Sequence, residues 1–82
     1  MFRVRWQPDA LDQLAAVCVD HPDRWTDINA AEHDANYRLR INPIHFSRPI
    51  AEELRRINSN PLAIYFSLTG NTIFVEGVGW LD

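Results

Sequence analysis

The stretch that most constrains the fold is residues 61–80, PLAIYFSLTGNTIFVEGVGW. Two apolar runs, 62–68 and 72–80, flank Thr69, Gly70 and Asn71, residues that take positive φ at low cost, so the segment predicts a β-hairpin. Leu62, Ile64, Phe66 and Leu68 share one face of the first strand, yet the opposite face is also largely apolar. Strands of this kind belong in the centre of a sheet that carries helices on one side.

The N-terminus supplies another strand and the helices. Residues 2–7 alternate strictly, with Phe2, Val4 and Trp6 on one face and Arg3, Arg5 and Gln7 on the other, as a strand covering a core requires. Pro8 and Asp9 then open a helix, proline losing no needed donor in the first turn and the acid favouring the positive end of the dipole. Leu11, Leu14, Ala15 and Cys18 recur at helical spacing. Asp20, His21, Pro22 and Asp23 form a turn, and Asp23 is placed to cap a second helix running to about Ile41. Its inner stripe is Trp25, Ile28, Ala31, Ala35 and Leu39, with Asn29, His33, Asn36 and Arg40 on the polar side. Asn42 and Pro43 end the pattern.

The middle of the chain is ambiguous. Residues 43–51 contain two prolines and no clean period, which predicts a loop. Over 50–58, Ile50, Leu54 and Ile57 are spaced for a helix, with Pro49 at its start, Glu52 and Glu53 early and Arg55 and Arg56 late. A strand over 54–58 places Leu54 and Ile57 on opposite faces instead. Propensity alone favours the helix.

These elements imply a single α+β domain over residues 1–82. An apolar fraction of 46% with nine aromatic residues is a globular composition, since chains lacking such residues cannot offset the entropy of ordering. The single cysteine, Cys18, leaves no disulfide within the chain and favours a reducing compartment. The charged alternation at the N-terminus is neither a signal peptide nor a membrane span, so a soluble cytoplasmic protein is expected. Net charge is −3, and all eight basic residues are arginines. This argues against a broad electrostatic grip on nucleic acid, though not against a local basic patch.

Three stretches carry a resemblance. The opening FRVRWQPDALDQL, the middle LRRI and the ending PLAIYFSLTGNTIFVEGVGW together resemble, over essentially the whole chain, the RelE/ParE toxin superfamily. The resemblance implies a RelE/ParE-like β-α-α-β-β-β order, a mainly antiparallel sheet with a two-helix hairpin packed on one face, and hence a strand at LRRI. It also implies an antitoxin partner encoded nearby and an RNA, ribosome or gyrase target. Family nucleases use no metal or other cofactor, and set arginine and lysine against the phosphate because charge builds there in the transition state. The basic position of the second strand falls on Arg55 or Arg56. The arginine that opens the next strand falls on Leu62, and the one following the last strand's valine and glycine falls on Trp80 or Leu81. The sequence ends at Asp82, without the segment that in family nucleases often carries a catalytic tyrosine or histidine. A divergent member lacking the nuclease arginines is therefore expected, a toxin-like component or a non-catalytic protein-binding domain of the same fold.

The candidate site residues follow. Arg48, Arg55 and Arg56 are the candidates for holding phosphate or an acidic partner segment, the alternative for the adjacent pair being a solvated face. His45 stands beside Phe46 and Arg48 as a candidate acid or base near neutral pH, or as a loop histidine without a role. Trp80, where the family places a cation, is a candidate to stack a base or anchor a partner helix, or else to cap the core. His21 reads as turn punctuation, Tyr65 as a packed ring and Cys18 as a small buried apolar residue. No histidine pairs with Cys18 at metal-ligand spacing, so no metal site is expected.

Overall fold

The computed structural model describes residues 1–81. Chain order is β1 (Arg3–Trp6), α1 (Pro8–Asp20), a 3-10 turn at Pro22–Arg24, α2 (Trp25–Ile41), β2 (Arg48–Ala51), β3 (Leu54–Ser59), β4 (Leu62–Thr69) and β5 (Thr72–Trp80). The strands form one sheet in the order β1-β5-β4-β3-β2. β1 runs parallel to β5 and every other pair is antiparallel. The expected α+β architecture is therefore present, with one strand more than the sequence suggests.

The C-terminal hairpin is the centre of the sheet. Thr69 pairs with Thr72 across a two-residue loop in which Gly70 takes φ +59°, a left-handed value that glycine adopts without a Cβ clash. Tyr65 pairs with Gly77 and Phe66 with Val75, so Glu76 is the extra residue of a bulge, which bends the strand locally. Phe66, Ile64, Leu62, Ile73 and Val75 are completely buried against Ile28, Ala31, Ala35 and Leu39 of α2. The two alanines give α2 a narrow inner face, so the helix lies close on the strands.

Helix α1 lies one residue out of phase with the spacing expected from the sequence. Ala10, Leu14, Val17 and Cys18 pack on the core, whereas Leu11 and Ala15 are exposed. Beyond Trp6 the edge of β5 has no strand beside it, and α1 covers it there. Gln13 Oε1 accepts the Val78 N–H at 2.7 Å, satisfying a strand-edge donor that a buried position cannot leave unpaired.

Three local expectations are corrected. Trp25, placed in the inner stripe of α2, is 55% exposed, its indole N–H donating to the Cys18 carbonyl at 2.6 Å. Asp23 makes no cap to α2, which follows directly on the 3-10 turn. Residues 48–51, read as loop, form β2, a short exposed edge strand. Pro49 fits there because an edge strand has one side with no ladder partner to donate to.

The ambiguity over 50–58 resolves to strand. Glu52 and Glu53 are the tight turn between β2 and β3, and Glu53 has φ +63°. Ile57 is wholly buried opposite Ile64, a pairing that outweighs the helical spacing of Leu54 and Ile57. Ser59, also buried, donates to the Ala31 carbonyl at 2.8 Å and so ties β3 to α2.

Candidate functional site

Strand geometry separates the two adjacent arginines. Side chains alternate along β3, so Arg55, Ile57 and Ser59 share the helix-covered face, while Leu54, Arg56 and Asn58 share the other. Arg55 is turned into the segment that links α2 to β2. Its Nε donates to Ser47 Oγ at 2.8 Å, and Nη2 donates to the carbonyls of Ser47 at 3.2 Å and Ile44 at 3.4 Å. Ser47 Oγ in turn donates to the Pro43 carbonyl at 2.5 Å. This arginine is a staple for the 43–47 segment.

Arg56 is placed differently. It lies directly opposite Arg48 on β2 and Tyr65 on β4. Like charges directly opposed on neighbouring strands repel, and Arg56 Nε is shielded from solvent with no hydrogen-bond partner. A buried donor left unsatisfied carries its desolvation cost in full. The two arginines line a recess of about 260 Å³ together with His45, Phe46, Ser47 and Asn58. Among the described residues no carboxylate lines it, so none of them balances the two facing guanidinium groups there.

The surroundings fix this recess in place. Arg38 of α2 reaches over the Phe46 ring, 5.6 Å from its centroid, donates to the Asn58 carbonyl at 2.9 Å and is paired with Asp34 at 2.7 Å. His45 packs edge-on to Phe46, and its backbone N–H donates to Asn42 Oδ1 at 3.3 Å. Along the uncovered sheet face the row continues from Arg48 and Arg56 to Tyr65, whose ring lies over Gly77 and Gly79. Two forked guanidinium groups with an amide and an imidazole suit an oxyanion such as a phosphate group.

Trp80 is not brought to this recess. It lies opposite Leu62, and its ring is stacked on His21 at 3.6 Å with 5° between the planes. The Arg24 guanidinium stands 5.2 Å from the same ring. Leu62 is completely buried in the core. Leu62 and Trp80, two of the positions to which the family resemblance assigns arginines, are thus occupied by packing.

Of the sequence candidates, Arg48, Arg56 and His45 converge, Arg55 is diverted to a structural role, and Trp80 lies elsewhere. Asn58, which also lines the recess, was missed as a member of the site. The i, i+2 spacing of Arg56 and Asn58 carried the signal, but it is legible only once 54–59 is known to be a strand. Among the described residues no group of three or more His, Cys, Asp or Glu side chains is placed to hold a metal ion, and no helix is long and apolar enough to cross a membrane.

No protein-family model and no curated protein matches the sequence. Among solved structures, a chain described as "Chromosomal ParDE TA system from P. aeruginosa" superposes with a TM-score of 0.82, over 100% of this chain and 98% of that one. The two chains share one backbone fold from end to end. Sequence identity over that match is 12%, so the likeness is one of backbone architecture.

Proposed function

We propose that this chain is the toxin-like component of a bacterial toxin–antitoxin pair, a single-domain cytoplasmic protein held by a partner antitoxin and directed at a translation or replication target. The observation that carries the reading is the end-to-end match of fold with a chain of a ParDE TA system. The Arg48–Arg56 recess is the surface we assign to the target, with phosphate as the group it holds. An RNA backbone or the DNA engaged by gyrase carries such groups.

A second reading, a non-catalytic protein-binding domain of the same fold, is favoured by one specific observation. Leu62 is core and Trp80 is stacked, so the cationic donors that support phosphoryl-transfer chemistry are reduced to one cluster. Loss of a single such donor typically slows a reaction by about a hundredfold or more. For a metal-independent RNA endonuclease this leaves Arg56 and His45, without Arg55, which is committed to the 43–47 segment.

Induced expression in a bacterial host distinguishes these readings. Toxin action predicts growth arrest that is relieved by co-expressing the adjacent small gene. Normal growth at high expression rejects the toxin reading and leaves the binding domain. Messenger RNA cleavage on ribosomes that disappears in the Arg56→Ala variant identifies the nuclease.

A further inference from the structure

The charge in the Arg48–Arg56 recess selects among phosphate groups. Guanidinium groups stay protonated in proteins, and side chains directly opposed on neighbouring strands have Cβ atoms about 4.5–5.5 Å apart, so Arg48 and Arg56 set two fixed positive charges on adjacent positions of one face. Among the described residues neither forms an ion pair. Arg38, beside the recess, is neutralised by Asp34 at 2.7 Å and donates to the Asn58 carbonyl, so it brings no unbalanced charge of its own. Arg56 Nε remains as a shielded donor without an acceptor.

A phosphate group brings either one negative charge or two. Inside a nucleic-acid backbone it is a diester with a single charge. On a mononucleotide or at a strand end it is a monoester, with a charge of about −1.5 to −2 at pH 7 and three strong acceptor oxygens. Only the monoester balances both guanidinium groups, and its additional oxygen is an acceptor for the Arg56 Nε–H. A run of backbone phosphates would instead continue onto a protein of net charge −3 that has no lysine, where little cationic surface is available to displace counterions. The recess itself is small, about 260 Å³, with consecutive residues 45–48 along one wall and Arg56 and Asn58 along the other.

From this match of charge and donors we infer that the Arg48–Arg56 recess selects the phosphomonoester of a nucleotide, free or at the end of a nucleic-acid strand, over the internal phosphodiester of a strand. The inference rests on the proposed assignment of phosphate to this recess and narrows it to a terminal group. Two guanidinium forks opposed across one strand spacing can each take a pair of oxygens of the same dianion. Bringing that dianion in removes the repulsion between Arg48 and Arg56 as well as satisfying the shielded donor, whereas a diester leaves one of the two charges unbalanced.

The test titrates methyl phosphate and dimethyl phosphate into isotope-labelled full-length protein at about pH 7.5, above the second phosphate pKa of about 6, following backbone amide and arginine Nε–H resonances. Methyl phosphate should bind about tenfold more tightly or better, with the largest shift at Arg56 Nε–H. Arg48→Gln and Arg56→Gln should each weaken it about tenfold and largely remove the preference. Arg48 is exposed, so at least that variant retains the fold. Arg3→Gln with Arg5→Gln, both exposed, takes away positive charge outside the recess and should leave the affinity almost unchanged. Adenosine monophosphate and a terminally phosphorylated tetranucleotide offer the same group from the two sources, and the tighter of them names the source; a tetranucleotide with hydroxyl ends should bind about tenfold more weakly than either. Equal affinity for the two methyl esters, equal affinity for the phosphorylated and hydroxyl tetranucleotides, or the same loss from the Arg3 and Arg5 variant as from Arg56→Gln overturns the inference while leaving a phosphate site in the recess. A phosphoserine peptide that binds more tightly than both nucleotides overturns it in favour of a phosphorylated protein. Absence of shifts with every probe at millimolar concentration removes the phosphate assignment too. The growth assay tests the toxin reading separately.

Discussion

Adjacent arginines with opposite duties make a sharp test, because Arg55→Ala and Arg56→Ala are the same chemical change one residue apart. Arg55 makes three hydrogen bonds to the 43–47 segment. A bond from a charged donor contributes about 1.5–3 kcal/mol when short and buried. Two of these contacts are long and the guanidinium is only partly buried, and the carbonyls it releases can turn to water. The set is therefore worth about 2 kcal/mol, which for a domain of this size lowers the melting temperature by roughly 10 °C. Arg56 Nε has no partner and Arg48 stands opposite, so its removal takes away a desolvation cost and a like-charge repulsion and should leave stability unchanged or raise it. Urea unfolding of both variants gives the two numbers, and hydrogen exchange locates the loss. Arg55→Ala should speed exchange selectively at Phe46 and Ser47, whose N–H groups bond within that turn. Equal destabilisation of the two variants, or a larger loss from Arg56→Ala, refutes the division of roles.

Further outcomes follow from other contacts. Inorganic phosphate should raise the melting temperature of the wild-type protein, and Arg48→Ala or Arg56→Ala should weaken its apparent affinity about tenfold in a thermal-shift titration. Leu39→Ala, at a completely buried position, should cost about 3 kcal/mol in chemical denaturation. A Cβ at Gly77 comes 3.0 Å from Gln13 Oε1, the acceptor of the Val78 N–H. Gly77→Ala should therefore cost about 1–2 kcal/mol, and a double-mutant cycle with Gln13→Ala should be non-additive by at least about 0.5 kcal/mol.

Legibility in the sequence followed how local the signal was. The terminal hairpin and β1 were readable because period-two patterning and the Thr69–Asn71 turn residues act within a few positions. Two-helix packing was readable from the stripe of Ile28, Ala31, Ala35 and Leu39. Trp25 fell on the same stripe and was misplaced, because a residue in the first turn of a helix can project past the end of the sheet. β2 was not legible: four exposed residues with a proline carry no periodicity, and only pairing with β3 makes them a strand. Glu52 and Glu53 imitated a helix start for the same reason, their turn being imposed by the strands on either side.

The candidate site shows the same division at the level of single side chains. Composition put eight arginines in a chain of net charge −3, and nothing in that count distinguishes a staple from a binding group. Accepting β3 as a strand sends Arg55 and Arg56 to opposite faces, and the β2 register then decides which of them meets another cation. An acidic protein thereby brings two guanidinium groups together in one recess. For a surface charge pattern, a one-residue shift of β3 would exchange the roles of Arg55 and Arg56. Ile57 fixes the register against that shift, since its move to the open face would remove a completely buried side chain from the core. The position of the basic recess is thus enforced by hydrophobic burial at the neighbouring residue, which is why it could be derived only after the fold.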